Sequence, residues 1–143
     1  MICTFFGHRD APESIFPVLQ KTLTLLITQN PSAEFYVGNH GNFDRMAIKA
    51  LHLLAKDFPH IKYAVVLAYF PQNNHFSDNN YPTLFPEGLE ASPPRFAIDK
   101  RNRWMLKKSD TVITCVKHPF GGAAKYKAMA GRLKKIVIEL NED

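Results

Sequence analysis

The 143 residues predict an α/β domain in which a parallel sheet is covered by helices on both faces. Three observations predict it. Short, continuously apolar runs rich in Val, Ile and Phe recur along the chain without the alternation of a half-exposed sheet. Longer stretches between them carry apolar residues at three- and four-residue spacing, as helices do. Glycines stand at the ends of three of the apolar runs, two of them directly before a helical stretch.

Taken in order, residues 2–6 (ICTFF) read as a buried first strand containing Cys3. Residues 13–29 read as a helix, with Ile15, Val18, Leu19, Leu23, Leu26 and Ile27 forming its apolar side. A short second strand at 33–37 leads to a helix over about 43–58 and a third strand at 62–68. A helix at 98–108, a fourth strand at 111–116, a helix at 123–133 and a fifth strand at 136–140 complete the series. Repeated βα units with right-handed crossovers make this a single Rossmann-like doubly wound domain over residues 1–143. The expected sheet is five-stranded and parallel, in spatial order 3-2-1-4-5. Residues 70–96 break the pattern: they hold five of the ten prolines and no sustained period. This stretch is either a flap at the carboxyl edge of the sheet or a plain insertion.

A chain that is 45% hydrophobic and 22% charged can bury one real core. No apolar run nears the ~20 residues that span a bilayer, and the start runs straight into a strand. A cytoplasmic location with no membrane partner is therefore expected. Cys3 and Cys115, each inside a strand, read as small buried hydrophobes and not as a disulfide or a metal clip. The net charge of +5 is uneven: residues 100–135 carry eleven Lys or Arg against one acid, Asp110, giving +10 there and −5 elsewhere. Such asymmetry suits an anionic partner, a small phosphate compound or a nucleic acid, although a solvated basic helix face gives the same pattern.

Ligands of open α/β sheets bind outside the carboxyl ends of the strands. Strand one ends in Gly7-His8-Arg9-Asp10, and strand two in Gly38-Asn39-His40-Gly41-Asn42-Phe43-Asp44. Strand four ends in Lys117-His118-Pro119-Phe120-Gly121-Gly122. Glycine before a helix lets backbone N–H groups and the positive end of the helix dipole meet a phosphate. Three glycine loops on one edge point to a ligand more firmly than any single one. His8, His40 and His118 share this edge, but nothing has a recognised ligand spacing and no metal is expected.

These stretches resemble the SLOG superfamily, which joins the Lonely Guy phosphoribohydrolases, the DNA-processing protein DprA and YpsA-like proteins. FFGHRD is similar to the Gly-His-Arg opening of YpsA-like members, and VGNHGNFD to the glycine loop after strand two, through Gly38, Gly41 and Asp44. KRNRWMLKKSD resembles the Arg-Lys-x-x-Met segment, with Arg101 and Met105 in the matching places. Gly121 and Gly122 fall on the glycine pair of the family's Pro-Gly-Gly motif. The resemblance implies a nucleotide or nucleotide-derived ligand at this edge. The implied binding set is Gly7, His8, Arg9, Gly38, Asn39, Gly41, Asp44, Arg101, His118, Gly121 and Gly122, with Arg101 gripping a phosphate through its planar fork. Asp44 has two readings, a ribose contact or a bond to backbone N–H groups of its own loop.

The chain departs from the Lonely Guy pattern where catalysis resides. The acidic residue expected after the glycine pair is replaced at its two possible positions by Lys127 and Ala128. Glycosidic cleavage needs a carboxylate, and a lysine cannot serve. The expected function is thus a sensor-type binding protein for a phosphate-bearing nucleotide ligand, with no further cofactor and no assigned catalytic residue. The alternatives are a phosphoribohydrolase-like enzyme with relocated carboxylates and a DprA-like nucleic-acid binder. A homodimer is expected, with Trp104 and the neighbouring apolar helix surface as its contact.

Overall fold

A computed structural model describes residues 1–70 and 81–142. In chain order the elements are β1 (Ile2–Gly7), α1 (Ile15–Gln29), β2 (Glu34–Val37), α2 (Asn42–Asp57), β3 (Lys62–Val66) and β4 (Thr83–Leu84). A short 3-10 turn (Leu89–Ala91), α3 (Pro94–Lys108), β5 (Thr111–Cys115), α4 (Gly122–Arg132) and β6 (Ile136–Glu139) follow.

All strand pairs are parallel, and the sheet order is β4-β3-β2-β1-β5-β6. The chain is a mixed α/β, Rossmann-like fold with six strands among the described residues, one more than expected. The five expected strands keep their relative order, and the sixth, β4, extends the sheet beyond β3. It lies inside the proline-rich stretch, pairing Val65 with Thr83 and Val66 with Leu84. Pro82 and Pro86 flank it, and two residues are too few to show a period. The Pro82 carbonyl still accepts the Val65 N–H at 2.9 Å. Helix α3 likewise starts earlier than expected, because Pro94 occupies its first turn, where a missing N–H costs nothing.

Alternate residues of each strand feed two cores. Cys3, Phe5, Phe35, Val37, Val65, Ile113 and Cys115 meet α1 and α2 on one face. Phe6, Val66 and Val112 meet Met105 and Leu106 of α3 and Tyr126 and Ala130 of α4 on the other. Both cysteines are free and buried. Trp104, the expected dimer contact, is half-buried and packs edge-on against Tyr36 of β2, centroids 5.2 Å apart. The lysines and arginines of the 100–135 stretch are borne by α3, α4 and the ends of β5 and β6, so the positive charge is concentrated on the α3/α4 side. Among the described residues, no helix is long and apolar enough to cross a membrane.

Candidate functional site: a cleft between two glycine-capped helices

A cleft of about 570 Å³ opens at the carboxyl ends of β1 and β5. Of the residues singled out from the sequence, Gly7, His8, Arg9, His40, Asp44, Arg101, His118, Gly121 and Gly122 line it. Gly38, Asn39 and Gly41 are not part of its lining: Gly38 is buried, whereas Asn39 and Gly41 are exposed outside it.

Most of the glycines answer to the protein itself. A Cβ on Gly7 would stand 2.3 Å from ring atoms of Phe43, which is fully buried at the start of α2. One on Gly38 would stand 2.8 Å from an Asp44 carboxylate oxygen and 3.0 Å from Arg101 Cζ. Gly41, at φ 93°, meets the Arg9 backbone with 2.8 Å between its virtual Cβ and Arg9 Cα. These three were expected to admit a ligand; they admit Phe43, Asp44, Arg101 and Arg9 instead.

The N-terminus of α2 is satisfied from within. The Asn42 N–H donates to the Arg9 carbonyl at 2.8 Å. The Asp44 carboxylate reaches back to accept the His40 N–H at 3.1 Å and supplies a negative charge in the first turn. Asp44 therefore bonds its own loop. Burial drives its pKa up from 3.8 to about 6, against the opposing pull of the His40 N–H and of Arg101 and Arg9.

Arg101 departs from its expected role. It is 1% exposed on the cleft floor, with Nη1 donating to the Val66 carbonyl at 2.8 Å and to Asn39 Oδ1 at 3.1 Å. Its Nε donates to Asn102 Oδ1 at 2.8 Å, and Nη2 sits 3.2 Å from His40 Nδ1. Neither pair of parallel donors is free to fork onto a phosphate. Arg101 braces β3, the β2–α2 loop and α3 together. Burial lowers its pKa, and the nearby Asp44 opposes that.

The N-terminus of α4 is built alike, and the described residues leave it open. Gly121 caps it at φ 92° and ψ 177°, almost the values of Gly41 (93° and 174°). No acid lies in its first turn and, among the described residues, no side chain caps it. Among the described residues, no atom other than those of the chain neighbours and the helix's own backbone lies within 4 Å of a Cβ placed on Gly121 or Gly122. Beside it stands a column of rings. His8 accepts the backbone N–H groups of Lys117 (2.8 Å) and His118 (3.2 Å) through Nε2. The His118 ring lies 4.8 Å from His8 and stacks on Phe120 at 5.3 Å, with 15° between planes. Phe120 ends the column, 69% exposed.

Opposite, Asp99 of α3 accepts hydrogen bonds from Tyr126 Oη, Lys125 Nζ (3.1 Å) and Arg103 Nε (2.9 Å). Burial works to raise its pKa, but these three donors prevail and bring it down to about 2. Burial and Asp99 together push Tyr126 up to about 12. Asp99 and Tyr126 both line the cleft and were not singled out from the sequence. Asp99 four residues before Arg103 reads as an ordinary surface helix pair.

Lys127, which stands where the Lonely Guy acid would fall, turns toward β6 and pairs with Glu139 at 2.8 Å. Among the described residues, no group of three His, Cys, Asp or Glu could hold a metal ion.

No protein-family model and no curated protein matches this chain. Among solved structures, the fold is similar to DNA processing protein A from Helicobacter pylori, a structure described by its single-stranded DNA binding mode, at a TM-score of 0.64 and 17% identity. The match covers 100% of this chain and 66% of that one, so this chain spans a little under two thirds of its length. At that identity the likeness establishes the fold.

Proposed function

We propose that this chain binds single-stranded nucleic acid in the cleft, with one backbone phosphate at the N-terminus of α4 and an adjacent base on Phe120. The observation that carries this reading is the pairing of an open helix N-terminus with an exposed aromatic ring one residue before its cap. Unpaired N–H groups and the helix dipole suit a phosphate, and a free ring face accepts any base. Arg9, exposed on the cleft and without an ion-pair partner among the described residues, supplies a second cationic contact. The concentration of lysines on the α3/α4 side would attract the rest of a strand at long range. A solved relative in fold that is described as binding single-stranded DNA adds support.

The second reading is a sensor-type protein for a mononucleotide or nucleotide-derived phosphate ligand. The cleft favours it through its volume, about 570 Å³, which lies within the range of small-molecule sites. Membership of the SLOG superfamily and a cytoplasmic location belong to both readings.

One titration separates them. Fluorescence anisotropy of a labelled oligo-dT of about 15 nucleotides should give saturable binding, with log K falling linearly in log salt by about 0.7 per phosphate neutralised. Millimolar AMP should displace it weakly. No oligonucleotide binding at low salt, with AMP alone giving a thermal shift, would select the second reading.

A further inference from the structure

The open edge of β6 is a self-complementary surface, and we infer that two copies of this chain pair there, antiparallel, across a two-fold axis at Ile138. At the sheet's opposite end β4 is only two residues long, whereas β6 presents Ile136–Glu139 with no strand beyond it among the described residues. The Ile136 and Leu140 N–H groups donate inward to the Asp110 (2.9 Å) and Thr114 (2.8 Å) carbonyls. Strand alternation then turns the N–H and C=O of Val137 and Glu139 outward, unpaired, as a template for another strand.

The sequence around this edge reads Lys134-Lys135-Ile136-Val137-Ile138-Glu139-Leu140-Asn141-Glu142, basic at one end and acidic at the other. Antiparallel pairing about Ile138 makes Val137 and Glu139 of the two copies exchange hydrogen bonds. It sets Ile138 against Ile138 and Ile136 beside Leu140, whose side chain is buried, and brings Lys134, in the left-handed turn just before each strand, near Glu142 just beyond the end of the other. Apolar residues therefore meet apolar ones, and opposite charges meet at both ends. Sliding the register to place Glu139 on the axis would oppose two carboxylates. The charge pattern thus selects the partner and its direction: a second copy, not an arbitrary strand.

Two further features agree. Ile136 is 63% exposed and Leu133 54%, beside a strand whose apolar row is otherwise half-covered. On the other face, an apolar groove between α4 and β6 is lined by Ala124, Ala128 and Gly131, small residues on one side of α4 that allow a second α4 to approach. The two clefts would then open on opposite edges of one continuous sheet, because the paired strands run in opposite directions.

Sedimentation velocity over 1–200 µM tests this pairing independently of any ligand. Wild type should approach twice the 16.3 kDa chain mass. Ile136→Lys, at an exposed position, should remain folded and sediment as a monomer. Lys134→Glu and Glu142→Lys alone should each weaken dimerisation by about tenfold, and the double exchange should restore it. A monomeric wild type throughout the range, or a dimer indifferent to Ile136→Lys and to the charge exchange, would overturn the inference.

Discussion

Helices α2 and α4 begin in the same way and end up with different neighbours. Each is capped by a glycine near φ 92° and ψ 175°, at the end of a strand on the same edge of the sheet. At α2 the protein fills the space, with the Arg9 carbonyl on the first N–H, Phe43 over Gly7 and Asp44 folded back onto His40. At α4 none of the described residues fills it, and the first turn carries no acid. A glycine cap alone does not mark a binding site. What marks one is a cap whose donors and dipole the protein has left unanswered.

The contrast is broken most severely at Gly41. Replacing it by valine puts a branched side chain against the Arg9 backbone at a φ of 93°, and should cost about 3–4 kcal/mol in urea denaturation. Gly122→Val, on the open helix, should change stability by less than about 0.5 kcal/mol. Equal losses at the two positions would show that the α4 loop is closed as well.

Arg101 and Arg9 sharpen the same division. Arg101→Ala leaves the Val66 carbonyl and Asn39 without their donor and Asp44 without its neighbouring cation, and should destabilise by about 2–4 kcal/mol. Arg9→Ala should leave the melting temperature nearly unchanged and weaken oligonucleotide binding, with the salt slope falling by roughly one phosphate contact. Chemical denaturation and anisotropy, run on both variants, would show whether the two arginines divide their work in this way.

Asp44 gives the closed helix a pH signature. Its folded pKa, about 6, lies above the ordinary 3.8, so the native state binds the proton more tightly than the unfolded chain does. Its contribution is therefore complete below pH 3.8 and is lost as pH rises through 6. The difference between wild type and Asp44→Asn should change by about 1–3 kcal/mol across that window, the upper figure following from 1.36 kcal/mol per pKa unit. Asp99, held near 2, acts in the opposite sense and only below pH 4. A difference curve that stays flat from pH 4 to 6 would place Asp44 in an ordinary solvated setting.

At the open helix the effects fall on affinity. Gly122→Val should weaken oligonucleotide binding by at least about tenfold, or 1.4 kcal/mol. Phe120→Ala should cost about 1–3 kcal/mol of affinity through the loss of one stacked base, with no loss of stability since the ring is exposed.

The sheet was legible because buried parallel strands are continuous apolar runs, and five of them announced themselves in sequence order. Strand β4 was not, because Thr83 and Leu84 between prolines show no period and owe their pairing to β3. The edge carrying the cleft was legible from its glycines, but what those glycines touch was not. Nothing in Gly7 or Gly38 reveals that Phe43, Asp44 and Arg101 press against them, since those contacts exist only after α2 and α3 pack. Arg101 resembled a surface phosphate ligand because a buried guanidinium and an exposed one are written with the same letter. Tyr126 and Asp99 stand 27 residues apart, and only the packing of α4 beside α3 brings them together.

The account turns on where an anion settles. Amide chemical shifts of ¹⁵N-labelled protein, followed while unlabelled oligo-dT is added, report this directly for each N–H. The predicted result is a saturable downfield movement of the Gly122, Ala123 and Ala124 amides, with Asn42 and Phe43 at the start of α2 unmoved. Shifts centred on α2, or spread over the lysines of α3 and α4 while those three amides stay in place, would contradict it.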